Sequence, residues 1–163
     1  MIPAPVPENE EGRMQALHAL NILDTKPEPQ FDEITKRAIK MFDVPISTIT
    51  IIDNNREWFK SQQGLKETEA PRNISFCGHA LTKKDIYIVE DTLENEIFKD
   101  NPHVKNGGIR FYAGKSLYDE RSRLPVGVFC IKDYKPRKMN VVETSQFLEL
   151  AAEAEKRINE GAV

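Results

Sequence analysis

A cysteine and a histidine lie two residues apart, at Cys77 and His79, where an extended segment is predicted to turn into a short helix. Thiolate and imidazole are the side chains best suited to coordinate a soft metal, hold a tetrapyrrole or respond to an oxidant. The chain contains only 2 cysteines and 3 histidines, so this pairing marks a candidate site. The neighbours Phe76 and Leu81 are apolar, which also fits Cys77 as an ordinary buried thiol.

Metal binding and thiol catalysis are both disfavoured at this pair. Two ligands are too few, and no second cluster of histidine or cysteine completes a set of four. A catalytic dyad of Cys77 and His79 is disfavoured because residues at positions i and i+2 do not face each other on a helix. We therefore predict no metal and no catalytic residue, and the cofactor stays unassigned. We interpret Cys130 as a thiol of the hydrophobic core. The alternative is that Cys130 is a redox partner of Cys77. His18 and His103 are predicted to lie at the surface.

Arg110 is the most informative charged residue, because it lies within the otherwise apolar run 109–112. An arginine there is costly to bury without an anionic partner. Asp91, in a predicted turn, supplies that partner in one interpretation, and a ligand carboxylate or phosphate supplies it in the other. Arg110 and Asp91 are therefore both candidate site residues.

Composition limits the class of protein. The chain has 163 residues, 39% hydrophobic and 30% charged, with a formal net charge of -3, which predicts one globular domain at 9–160 behind a flexible proline-rich tail at 1–8. The charge gives no basic field, so nucleic acid is not an expected partner. No export signal and no membrane-length apolar run is visible, and we expect a cytoplasmic location without a membrane partner.

The elements that position these residues follow from periodicity. Helical spacing predicts helices over 10–21 and 30–42 and a long closing helix that begins at Asn140, with Glu143 completing its cap. β-branched and apolar runs predict five strands, over 46–52, 57–61, 85–90, 110–117 and 125–133. The order predicts a single α+β domain on a mainly antiparallel sheet.

Several sequence blocks, in order, resemble those of one family. They are Ala19 to Thr25, Val44-Pro45-Ile46 leading to Asp53, Trp58-Phe59-Lys60-Ser61 with Gly64-Leu65, Thr68 to Leu81, Val89-Glu90-Asp91, Phe98 to Pro102, Ile109 to Gly114, and Gly127 to Asp133. These blocks are similar to those of GAF domains, the small-molecule sensing modules of phytochromes, cyclic-nucleotide phosphodiesterases and many bacterial regulators. The likeness covers most of the chain.

The resemblance implies a GAF-like fold. Its sheet has six antiparallel strands, with the N- and C-terminal helices on one face and a loop-covered pocket on the other. By position, the implied pocket wall is Phe76, Cys77, His79, Asp91, Phe98, Ile109, Arg110 and Tyr112. A pocket closed by its own side chains is the alternative, because a fold does not imply a function.

The function expected from this resemblance is that of a stand-alone sensory or regulatory domain without catalytic activity. It would bind an unidentified small molecule and act through a protein partner or as a homodimer formed by the terminal helices. One alternative is a thiol-dependent reductase of a small oxidised metabolite, similar to free methionine-(R)-sulfoxide reductase and using Cys77, although this chain lacks the family enzyme's full set of cysteines. Another is a ligand-free protein-interaction module. The pattern does not support cyclic nucleotides, because their signature begins with Asn-Lys, a dipeptide absent here.

Overall fold

The computed structural model describes residues 1–160 and contains one six-stranded antiparallel sheet, in the order β3-β2-β1-β6-β5-β4. The strands are β1 (Ile46–Ile52), β2 (Arg56–Gln63), β3 (Glu69–Pro71), β4 (Tyr87–Val89), β5 (Phe111–Tyr118) and β6 (Pro125–Asp133). The helices are α1 (Glu10–Ala19), α2 (Pro29–Phe42), α3 (Phe76–Ala80), α4 (Pro102–Lys105) and α5 (Val141–Glu160), and short 3-10 turns occupy Arg72–Ile74 and Thr92–Glu94.

The central strand is β1, which pairs with β2 on one side and β6 on the other. All seven of its residues are buried. A β-branched sequence suits a strand covered on both faces, because branched side chains pack well on a pleated surface. The prediction for this strand is confirmed.

One face of the sheet is covered by the terminal helices. Ile49 and Ile51 of β1 share a core cluster with Leu17 of α1, Phe31 of α2 and Phe147 of α5. The closing helix α5 starts as predicted: the Asn140 side chain accepts from the Glu143 amide at 2.8 Å, and the Glu143 carboxylate accepts from the Asn140 amide at 3.1 Å. These bonds satisfy backbone donors that a helix start leaves free.

The opposite face carries α3, α4 and long loops over a second core cluster, which includes Ile46, Ile52, Val128 and Cys130 from the sheet. The predicted fold class is therefore confirmed. The 69–71 strand β3 was not located from the sequence, and β4 is shorter than predicted. No helix within residues 1–160 is both long and apolar enough to cross a membrane.

Candidate functional site

The cap of helix α3 fixes the position of the Cys77 and His79 side chains. The Ser75 hydroxyl accepts from the Gly78 amide at 2.8 Å and donates to the Arg72 carbonyl at 2.7 Å, so the helix begins directly after the preceding 3-10 turn. A serine N-cap is a favoured way to start a helix. The segment singled out from the sequence is thus a short, tightly held helix beneath the loops.

Cys77 is fully buried and held by hydroxyl groups. Its sulfur accepts from the Tyr112 hydroxyl at 3.3 Å and lies 3.8 Å from the hydroxyl of Thr50. Burial is the main cause that raises the pKa of the Cys77 thiol above its ordinary value. Because the thiolate is the reactive form, this environment describes a structural thiol. Cys130 is also fully buried, with its sulfur 3.0 Å from the Thr48 hydroxyl.

Aromatic rings fill the space between the 76–81 and 109–112 segments. The Phe76 ring lies 4.6 Å from that of Phe98 and stacks on that of Tyr112 at 5.2 Å, measured between ring centroids. All three side chains are fully buried. The structure therefore brings these predicted wall residues together, as a packed cluster rather than as the lining of an open space.

His79 contacts the N-terminal segment that was predicted to be a flexible tail. Its Nε2 lies 3.1 Å from the Ile2 carbonyl, and the Ala4 amide donates to the Asn73 carbonyl at 3.0 Å. Gly78 permits this approach, because an added Cβ there would lie 2.7 Å from the Ala4 Cβ. Burial lowers the pKa of His79. In this arrangement the imidazole contacts Ile2, and the backbone next to it contacts Ala4.

Arg110 is paired inside the protein. Its guanidinium donates to both oxygens of Asp91, at 3.0 Å each, in a bidentate arrangement. These hydrogen bonds raise the pKa of Arg110 and lower that of Asp91. Asp91 borders an open surface depression next to β4. The geometry matches the internal-partner interpretation of this pair.

A separate cavity of about 260 Å³ lies over the β1, β2 and β6 strands, beneath the loops that contain Leu65 and Gly107. Its wall combines apolar, aromatic and ionisable side chains: Ile46, Glu57, Phe59, Leu65, Glu67, Ala70, His103, Gly107, Ile109, Lys132 and Tyr134. Of the eight wall residues predicted from the sequence, Ile109 is the one that lines this cavity. A concave apolar site with a few polar groups is the usual form of a small-molecule site.

Glu57 is the most unusual member of this wall. Only 2% of the residue is exposed, and its Oε1 atom has no hydrogen-bond partner. A buried polar atom without a partner carries a penalty of about 1–3 kcal/mol, more when it is charged. Burial raises the pKa of Glu57 to about 8, although the positive charge of Lys132 opposes this shift.

Lys132 and His103 are also incompletely satisfied. The Lys132 side chain forms no ion pair or hydrogen bond within residues 1–160, and its ammonium lies 5.5 Å from the centroid of the Phe76 ring. His103 was predicted at the surface, but its Nε2 is buried without a partner, so that prediction is wrong. Burial is the main reason why the pKa of His103 is lowered, and the positive charge of Lys132 lowers it further. His18 is exposed as predicted.

Sequence reasoning overlooked Glu57 and Lys132 because charged residues in strands are normally assigned to solvent. Alternate side chains of a strand lie on the same face of the sheet. Glu57 therefore shares a face with Phe59, and Lys132 shares a face with Cys130 and Val128. These neighbours lie on the loop-covered face. No group of three or more histidine, cysteine, aspartate or glutamate side chains in the described part of the chain is arranged to hold a metal ion.

The sequence profile of the GAF domain matches residues 26–158, and the chain belongs to this family. A cyclic di-GMP phosphodiesterase from Pseudomonas aeruginosa is 36% identical to it over 138 residues, which are 84% of this chain. The match covers 23% of the relative, so the chain spans about a quarter of that protein's length.

Solved structures agree on the fold. The GAF domain of an Acinetobacter phosphoenolpyruvate-protein phosphotransferase superposes with a TM-score of 0.66 at 15% identity, over 91% of this chain and 94% of that one. A free methionine-R-sulfoxide reductase from Neisseria meningitidis, in complex with its substrate, gives a TM-score of 0.64 at 15% identity, over 98% and 97% of the two chains. Identities this low show the fold alone.

Proposed function

We propose that this chain is a ligand-sensing regulatory domain and that the 260 Å³ cavity is its binding site. The observation that carries the proposal is the unpartnered Glu57 carboxyl oxygen in the cavity wall. Buried polar atoms are normally hydrogen-bonded, and an exception needs an explanation. A ligand that supplies the missing partner is such an explanation, and it favours a binding domain over a ligand-free interaction module.

The predicted reductase alternative lacks a comparable observation. Cys77 and Cys130 are both fully buried, and neither lines the cavity. Thiol chemistry requires a thiolate that can meet its substrate. We therefore assign the domain a regulatory role without catalysis, in which ligand binding is read out by a partner or by another part of a longer protein. Free thiols fit a reducing compartment, and we place the protein in the cytoplasm.

We also propose that the domain forms a homodimer through its terminal helices and transmits its signal in this way. Helix α5 exposes Val141, Val142 and Leu148 to solvent, and α5 covers the same sheet face as α1. Exposed apolar side chains on a terminal helix suit a two-fold interface, where the same patch meets its own copy. Light scattering of the purified protein tests this: a dimer is expected, and a monomer at high concentration would contradict it.

The binding proposal is tested by thermal denaturation against a library of small metabolites. A ligand at 100 times its Kd stabilises the folded state by about 2.7 kcal/mol, which corresponds to an increase in Tm of about 5–10 °C for a domain of this size. Leu65→Trp places a large ring in the cavity and should abolish the shift. Leu93→Trp, at a residue that is 50% exposed and outside the cavity, is the matched control and should keep it.

If no metabolite in the library shifts the Tm, or if the shift survives Leu65→Trp unchanged, the cavity is not the sensing site. Circular dichroism of both tryptophan variants verifies that they are folded. The comparison between them separates loss of the cavity from a general effect of adding an indole ring.

A further inference from the structure

The ionisable groups of the cavity enter it from different directions. In the sheet, Glu57 pairs with Ile52 at one end of β1, and Lys132 pairs with Ile46 at the other end. Six residues of strand separate the two backbone positions by about 20 Å, but the side chains approach each other, because the positive charge of Lys132 acts on the Glu57 carboxyl. Both side chains nevertheless line the same cavity, and none of the ion pairs within residues 1–160 joins them.

We propose that the cavity takes a small zwitterion, with an amine that meets Glu57 and a carboxylate that meets Lys132. This inference rests on the proposed function, because it names the ligand class of the same site. The volume supports a small molecule, since about 260 Å³ lies below the range of about 300–1,000 Å³ typical of drug-sized ligands.

The charged groups of the cavity wall have complementary chemistry. An ionised Glu57 accepts hydrogen bonds only, so it suits an ammonium group, which only donates. Lys132 donates three hydrogen bonds, and a neutral His103 adds one N–H, so these two groups suit a carboxylate. Between them, Ile46 and Phe59 offer apolar contact for the carbon chain of the ligand.

A ligand with one charge would leave the site unbalanced. An amine alone would leave the Lys132 ammonium without a hydrogen-bond acceptor, and a carboxylic acid alone would leave the Glu57 oxygen unsatisfied. Leaving a buried polar group unpaired is costly, so a site of this kind rejects ligands that lack one of the two groups. Both groups are therefore required on one molecule.

Binding of the ammonium group should release a proton. The groups that influence Glu57 come from three elements: Lys132 and Cys130 of β6, Cys77 of α3, and Tyr112 of β5. With its pKa near 8, Glu57 holds its proton at pH 7 in the empty cavity. An ammonium group next to the carboxyl favours the ionised form, so the proton passes to the buffer as the ion pair forms.

The test uses isothermal titration calorimetry with ω-amino acids of increasing length: glycine, β-alanine, 4-aminobutanoate and 6-aminohexanoate. Hexylamine and hexanoate are the single-charge controls. Titrations at pH 7 in two buffers of different ionisation enthalpy measure the protons released. We expect one chain length to bind best, both single-charge controls to bind at least 10-fold more weakly, and up to one proton to be released per ligand.

Variants separate the contributions of the two charged groups. Glu57→Gln and Lys132→Met should each weaken the best ω-amino acid at least 10-fold, and Glu57→Gln should also abolish proton release. Both substitutions remove a buried, incompletely paired ionisable group, so the fold should tolerate them. Glu149→Gln, at an exposed position of α5, should leave binding and proton release unchanged.

Four outcomes overturn the zwitterion proposal. If hexylamine or hexanoate binds as tightly as the best ω-amino acid, one of the two charged groups suffices. If Glu57→Gln and Lys132→Met both keep the wild-type affinity, neither charge is used. If the ω-amino acids fail while other metabolites bind in a manner sensitive to Leu65→Trp, the ligand class is wrong and the sensing function stands. If nothing binds, both proposals fail.

Discussion

Replacing Glu57 with glutamine should change how the stability of the protein depends on pH. The Glu57 carboxyl has a pKa of about 8 in the folded protein, against a usual value of 4.5. Between these values the unfolded chain ionises while the folded chain keeps its proton, so wild-type stability falls as pH rises. One pKa unit corresponds to about 1.4 kcal/mol. From pH 5 to pH 7, Glu57 should therefore cost the wild type about 2.5 kcal/mol that Glu57→Gln does not lose.

Urea unfolding at pH 5, 6, 7 and 8 measures this difference. The free energy of unfolding of Glu57→Gln, minus that of the wild type, should increase with pH up to about 8 and then level off. Burial lowers the pKa of His103, but this residue is present in both proteins, so its effect largely cancels in the difference. Glu149→Gln provides the exposed control and should run parallel to the wild type. A Glu57→Gln curve that also runs parallel would refute the buried, unpaired state of this carboxyl.

Three further perturbations test other contacts. Gly78→Ala places a Cβ 2.7 Å from the Ala4 Cβ, so residues 1–6 should be cleaved faster in limited proteolysis, and an unchanged rate would argue against this packing. Burial by itself would raise the pKa of Glu10. Hydrogen bonds donated by Arg13 and Arg72 outweigh this effect and lower the pKa to about 2. Glu10→Gln should therefore lower the free energy of unfolding, measured in urea at pH 7, by about 1–2 kcal/mol. This difference from the wild type should shrink as pH falls from about 4.5 to about 2. A difference that does not change with pH would contradict the pairing. Arg110→Gln should leave the calorimetric affinity for 6-aminohexanoate, or for any library ligand, within about twofold, and a 10-fold loss would place Arg110 in the site.

Much of the fold could be predicted because its signals are local. The β-branched run 46–52 identifies the central strand, and Asn140 with Glu143 identifies the start of the closing helix. The short strand β3 carries no such signal, because residues 69–71 are a glutamate, an alanine and a proline. They form a strand only through pairing with residues 56–58 of β2, which is a tertiary contact.

The candidate site was only partly accessible to the same reasoning. The resemblance implied a pocket on the loop-covered face, and Phe76 and Tyr112 of its implied wall do meet there. Whether a space between segments is filled depends on how rings pack, and no periodicity encodes this. Glu57 and Lys132 are buried because loops distant in sequence cover them, which a strand pattern alone does not reveal.

The most direct test of a ligand-sensing cavity is a native mass spectrum of the protein purified from its own cells. We predict a species heavier than the 18.7 kDa chain by one small molecule, and we predict that this species is present in Leu93→Trp and absent in Leu65→Trp. A bound molecule that persists in Leu65→Trp, or none in any of the three proteins after metabolites are added back, would contradict the account.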